Sequence, residues 1–263
     1  MWWKKNKWRV IVPILLLALA AFLFWYGGGA PGMQGWKVTK PSAAPTTAIE
    51  ERPGGADGTL SVEEKLAEAA KLAGNTDKEQ GDAGYSALQG MQLDPETGLD
   101  RYGTSAVPEG KPVPVEPESV EITDVEHTCT ISISCATILD NMGWLDPEKV
   151  ELVPEDGWIL KPIEVTFYEG ESVFNVLLRT CKQQGIHLEF VNTPMYNSAY
   201  IEGIHNLYEF DCGQLSGWIY KVNGWSPNYG CSRYALKDGD VIQWQYTCNL
   251  GIDIDAYYAV GGG

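Results

Sequence analysis

The chain has 263 residues, with 35 acidic and 19 basic side chains and a formal net charge of −16. So acidic a body excludes nucleic-acid binding, which needs basic surface to displace counterions from phosphates. It suits cationic ligands, bound metal ions or plain solubility, and the length allows one or two domains.

Residues 1–26 read as a membrane anchor. Lys4, Lys5, Lys7 and Arg9 precede an uncharged apolar run, Val10 to Tyr26. As a helix this run reaches roughly 25 Å, the lower limit for a span. Trp8, Trp25 and Tyr26 lie at its two ends, where membrane interfaces favour aromatics. The basic flank predicts a single-pass cell-membrane protein with its N-terminus inside and its folded domain extracytoplasmic. The competing reading is a cleaved signal peptide.

Residues 27–118 read as a disordered acidic spacer rich in Pro and Gly. Gly27-Gly-Gly and Pro53-Gly-Gly are flexible, and Lys111-Pro-Val-Pro-Val-Glu-Pro117 is a stiffer arm. One amphipathic helix is expected inside it, from a Ser61/Glu64 capping box to Gly74. Asp94-Pro-Glu-Thr-Gly-Leu-Asp100 faintly resembles a calcium loop, but its Gly is misplaced and no twelfth-position Glu follows. A polar turn is the expectation.

Residues 119–162 form a β-rich lead-in. Cys129 to Cys135 alternates strictly and predicts a strand, followed by a helical turn at Thr137–Met142. Trp158–Leu160 and Ile163–Tyr168 read as strands separated by Pro162. Residues 163–250 then carry the main helix, N-capped by Ser172 and closed by Gly185. Its apolar face is Val173, Phe174, Val176, Leu177, Leu178 and Cys181. Strands are expected at Ile186–Phe190, Tyr200–Ile204, Leu207–Phe210, Gly217–Val222 and Val241–Thr247, with a long loop from Val191 to Ala199. Residues 251–263 read as a frayed tail. The pattern is α+β, with one main helix on a mixed or antiparallel sheet.

Aromatics crowd the C-terminal strands. Period-two alternation puts Trp218, Tyr220 and Val222 on one face, and Ile242, Trp244 and Tyr246 on one face of the last strand. Trp244 and Tyr246 are expected in the core. Trp225 and Tyr229 follow the Asn223-Gly224 turn with no alternation to bury them, so they are expected to be free to touch a ligand.

The block Gly217-Trp-Ile-Tyr-Lys-Val-Asn-Gly-Trp225 and Gly230 to Thr247 resembles the C-terminal domain of transcobalamin and intrinsic factor, as it occurs in bacterial membrane-anchored surface proteins. The resemblance covers roughly residues 163–248 and implies a small β-grasp-like domain. In that family the domain covers one face of a corrin ring with loop residues. It therefore implies ligand contacts from Trp218, Trp225, Asn228 and Tyr229, with Tyr196 of a neighbouring loop. The cobalamin proteins place an α/α barrel before this domain, whereas a spacer and a short β region stand there in this chain. The expected function is thus a membrane-anchored extracytoplasmic binding module, supplying half of a site for a corrinoid or another flat cofactor, completed by a partner. The alternative is an adhesion or envelope-interaction domain that binds a surface protein or glycan.

All six cysteines, Cys129, Cys135, Cys181, Cys212, Cys231 and Cys248, lie in the C-terminal part. An even count in an exported domain favours disulfides over metal binding or catalysis. Cys129 cannot reach Cys135 along one strand; Cys212 and Cys231 are the favoured pair. No catalytic or metal site is expected. His127, His187 and His205 sit in no triad or ligand pattern, Ser216 lacks a nucleophile elbow, and Lys237-Asp-Gly-Asp240 is turn chemistry.

Overall fold

The computed structural model describes residues 81–256. The anchor read over residues 1–26 and the Ser61–Gly74 helix lie outside them. Among the described residues no helix is long and apolar enough to cross a membrane.

The architecture is α+β with two sheets. Strands β1 (Glu126–Ser134), β2 (Trp158–Tyr168), β6 (Gly217–Val222) and β7 (Val241–Thr247) form a mixed sheet in the order β2-β1-β7-β6. Its central pair, β1 and β7, is parallel; the flanking pairs are antiparallel. Strands β3 (Leu188–Thr193), β4 (Ser198–Ile204) and β5 (Leu207–Tyr208) form an antiparallel sheet. Three α-helices are described: α1 (Ala83–Leu88), α2 (Ala136–Leu139) and α3 (Val173–Gln184).

Helix α3 starts and stops where the residues dictate. Ser172 and Asn175 bond each other's backbone N–H groups in a capping box, and Gly185 ends the helix at φ +67°. Val173, Val176, Leu177 and Cys181 are buried against the mixed sheet, in a core shared with Ile131, Ile133, Ile242 and Trp244. Leu178, expected on this face, is exposed. A smaller cluster of Cys135, Ile138, Leu145, Cys212, Tyr246 and Cys248 lies beside the β1–β2 connection.

Pro162 does not break β2. The strand is at the sheet edge, where a missing N–H costs no ladder bond, and the register slips between Ile131/Ile163 and Ile133/Leu160. The expected loop after Val191 is instead a hairpin, closed by a tight turn at Pro194–Tyr196 with Asn197 left-handed.

Two other expectations are corrected. Residues 81–118 are part of the folded body. Val107 is fully buried in the main core, Val115 N–H donates to the Arg233 carbonyl at 2.9 Å, and Tyr85 and Val113 pack on the core edge. Low hydrophobicity concealed this, because the few apolar anchors of the segment are joined by polar contacts that leave no periodic pattern. The tail also folds as far as Ala256. Ile254 and Ala256 are buried, and the Lys221 ammonium donates to the Ile254 carbonyl, covering the second face of β6.

Candidate functional site

A cavity of about 280 Å³ lies at the seam between the two sheets. Strand β4 contributes Ser198, Ala199 and Tyr200, and the hairpin turn before it contributes Tyr196. Strand β6 contributes Trp218, Ile219 and Tyr220. The loop after β6 supplies Pro227 to Gly230, and the N-terminal arm supplies Tyr102, Gly103 and Thr104. Four of the five residues singled out in the sequence, Tyr196, Trp218, Asn228 and Tyr229, therefore line one space.

Trp225 is not among them. It is 6% exposed and belongs to the main core. The reason lies in the turn. Asn223 (φ +53°) and Gly224 (φ +77°) form a two-residue hairpin turn, and Trp225 pairs with Val222 through two backbone hydrogen bonds of 2.9 and 3.0 Å. Residues directly opposite on paired strands point to the same face, and Val222 is 1% exposed, so Trp225 is drawn inward with it.

Tyr229 is also more buried than expected, at 6%. Its hydroxyl donates to the Pro112 carbonyl at 2.7 Å, and its ring stacks near Tyr234 with centroids 6.2 Å apart. It walls the cavity without projecting from it. Asn228 donates to the Ser105 carbonyl (3.2 Å) and hydroxyl (2.8 Å), which fixes its amide and leaves its buried Oδ1 without a partner. Trp218 is half-buried, with its indole N–H donating to the Leu207 carbonyl at 2.8 Å. Tyr196 is 55% exposed at the rim.

Tyr200 and Tyr102 were not singled out from the sequence. Tyr200 is half exposed as a residue, but partial desolvation of its phenol, together with the Glu209 carboxylate to which it donates, pushes that phenol above the usual range. Burial, with the Glu116 carboxylate adding to it, also raises Tyr102. Burial raises Tyr220 and Tyr229 in the same direction. The cavity thus has aromatic walls whose phenols stay neutral and are fixed by the protein, Tyr200 donating to Glu209, Tyr220 to the Tyr229 carbonyl and Tyr229 to the Pro112 carbonyl. The Arg101 and Arg233 guanidiniums lie 4.5 and 4.7 Å from the Tyr102 ring centroid and hold that wall in place.

Arg233 is the residue that sequence reasoning missed altogether. It is 1% exposed and donates to Asp100, Thr104, Glu116 and the Val115 carbonyl, all on the arm. Its partners lie more than a hundred residues upstream, so no local pattern signals them. A larger cleft of about 750 Å³ runs under this part of the arm. Its carboxylates are already engaged: Asp94 accepts from the Glu96 and Thr97 N–H groups, and Asp100 from Tyr102 N–H, Thr104 N–H and Arg233. The calcium-like stretch is a polar turn. Among the described residues no group of three His, Cys, Asp or Glu side chains is placed to hold a metal ion.

The cysteines are all buried free thiols. The favoured Cys212–Cys231 pairing is incorrect for this fold. Cys231 sits in the main core and Cys212 in the smaller cluster, where its Sγ is 3.4 Å from that of Cys248. Spacing along the chain could not reveal this, because β7 returns Cys248 to the loop after β5.

A family described as a domain of unknown function (DUF4430) matches residues 170–248, which include the Gly217–Thr247 block. No curated protein matches the chain. Several solved structures are similar to parts of it. Haptocorrin in complex with Cbi aligns over 48% of this chain at 12% identity and a TM-score of 0.35, and the alignment spans 26% of the haptocorrin chain. A "putative metal binding protein" from Ruminococcus gnavus ATCC 29149 aligns over 46% of this chain and 96% of its own, at 11% identity and a TM-score of 0.29. At these scores neither likeness bears on the site.

Proposed function

We propose that this chain is a non-enzymatic binding module, held outside the cell membrane by its N-terminal segment. Its ligand inserts an aromatic or apolar edge into the seam cavity. The observation that carries this reading is the convergence of Tyr196, Tyr200, Trp218 and Tyr229 on one cavity. Aromatic walls with a few fixed polar groups are the usual make-up of small-molecule sites. The volume limits the ligand. At about 280 Å³ the cavity is at or just below the lower end of the usual range for a whole ligand, so it suits one edge of a larger flat molecule. That favours half of a site, completed by a partner. A corrinoid is the ligand class implied by the Gly217–Thr247 resemblance, and α3 lying on a mixed sheet with a parallel central pair supports the β-grasp-like reading.

Binding is favoured over catalysis by the state of the nucleophiles. Burial pushes Cys129, Cys135, Cys181 and Cys231 up to about 12, so they stay protonated. His127 lies beside Asp238, whereas His187 lies beside Tyr208 and Glu189, and neither histidine lines the cavity.

The test is a titration of the full chain with cobinamide, read by tryptophan fluorescence. A saturable quench that Tyr196→Ala and Trp218→Ala weaken is expected. No saturable signal at millimolar cobinamide would exclude the corrinoid. A second reading, adhesion to a surface protein or glycan, draws on the exposed Val191, Met195, Tyr196 and Tyr200 of the β3–β4 hairpin. Capture of a stable macromolecular partner, lost in Met195→Ala/Tyr196→Ala, would favour it.

A further inference from the structure

The seam that forms the cavity is flanked by a pair of thiols. Cys212, in the loop after β5, and Cys248, just after β7, bring their Sγ atoms to 3.4 Å, and both side chains are at most 1% exposed. No other sulfur–sulfur contact is seen among the described cysteines, and each of these two has only weak additional partners, Asn141 O at 3.7 Å and Thr137 Oγ1 at 3.9 Å. A disulfide bond is about 2.05 Å long. Closing the gap therefore shortens the sulfur–sulfur distance by little more than an ångström.

We propose that Cys212 and Cys248 form a disulfide that fastens the three-stranded sheet to the end of β7. The reaction is two successive thiol–disulfide exchanges with a small-molecule disulfide such as oxidised glutathione. One cysteine thiolate attacks the oxidant, giving a mixed disulfide and one released thiol. The second cysteine then displaces the other half as a thiol. Two protein thiols are oxidised by two electrons, the oxidant is reduced to two thiols, and the two protons pass to the leaving sulfurs. The contact with the Cys212 sulfur, and burial after it, hold the Cys248 thiol protonated once the cluster has closed, so the exchange belongs to folding. Oxidising conditions outside the membrane, where the domain is expected, let such a bond persist.

The bond has a structural consequence independent of the ligand. Cys212 follows β5, which pairs with β4, the strand that supplies Tyr200. Cys248 follows β7, which pairs with β6, the strand that supplies Trp218. The cross-link would hold together the two sheets that meet at the cavity.

The test is to refold the full chain from its reduced, unfolded form in a glutathione redox buffer. Free thiols are then alkylated without reduction and the peptides mapped by mass spectrometry. A linked Cys212–Cys248 peptide pair, with Cys129, Cys135, Cys181 and Cys231 alkylated, is the expected result. Reduction should lower Tm by roughly 10 °C, a shift that Cys212→Ser/Cys248→Ser abolishes. Alkylation of both Cys212 and Cys248 without reduction, or a bond from either to another cysteine, would overturn the proposal. The peptide map uses the wild-type chain, so it stands even if the double variant does not fold.

Discussion

Arg233 Nη2 lies 2.7 Å from an Asp100 carboxylate oxygen, across 133 positions of sequence, and both side chains are almost wholly buried. Glu116 adds a second carboxylate at 3.3 Å. This cluster fastens the arm, residues 81–118, to the sheet domain, and the arm in turn supplies one wall of the cavity. A buried ion cluster is not simply a gain, since each charge has been taken out of water. Its effect is strongest when one partner is removed and the other is left uncompensated.

Arg233→Gln should therefore destabilise the protein by about 3–5 kcal/mol in urea unfolding, because Asp100 and Glu116 lose their counter-charge. The arm should also open. Trypsin cleavage at the exposed Arg101 is expected to accelerate at urea concentrations where the sheet domain stays folded. Unchanged cleavage would mean that the arm is held by its apolar contacts alone.

The two kinds of aromatic should separate cleanly. Trp225→Ala removes a core side chain and should cost about 3–5 kcal/mol. Tyr196→Ala, on an exposed rim residue, should change stability by no more than about 0.5 kcal/mol while weakening ligand binding. Thermal unfolding and a ligand titration on the same two variants decide it. A destabilised Tyr196→Ala would remove the grounds for treating the hairpin turn as a recognition surface.

Asp211 makes the stability pH-dependent. Burial raises its carboxyl above the ordinary value, although Tyr208 N–H donates to it at 2.7 Å and Lys149 lies 3.5 Å away. The folded state therefore keeps the proton at pH values where the unfolded chain has lost it. Stability from this group is fully present below the ordinary carboxylate value and declines as pH rises through the raised folded value. Asp211→Asn keeps an acceptor for Tyr208 N–H and has no proton to lose. The Tm difference, wild type minus Asp211→Asn, should fall as pH rises from about 4 and then level off. A flat or rising difference would contradict the burial argument.

Gly230 is required by a close approach. A Cβ there would lie 2.1 Å from Ser198 Oγ and 2.2 Å from Ser198 Cβ, at the cavity wall. Gly230→Ala should destabilise by about 1–3 kcal/mol. Ser198→Gly removes both clashing atoms, so the double variant should recover about 1 kcal/mol or more relative to additivity. Strict additivity would show that the loop yields without strain.

Local residue patterns were sufficient for the elements. The Ser172 cap, the Gly185 stop and the two-residue periodicity of Gly217–Val222 and Val241–Thr247 act within a few positions, so α3, β6 and β7 were legible within their observed bounds. The membership of Tyr196, Trp218, Asn228 and Tyr229 in one neighbourhood was legible too, through turn residues and the Gly217–Thr247 resemblance. What the tertiary structure alone decided were contacts between distant positions: Arg233 with Asp100, Cys212 with Cys248, and Trp225 folded inward opposite Val222. An arm of low hydrophobicity reads as spacer because periodicity reports only apolar faces, whereas this arm is secured by isolated apolar anchors such as Val107 and by ion pairs and hydrogen bonds to partners about 120 residues away. Local propensity sets which segments are strand or helix. Which side chains become wall, core or clamp depends on which segments meet, and that is settled by packing.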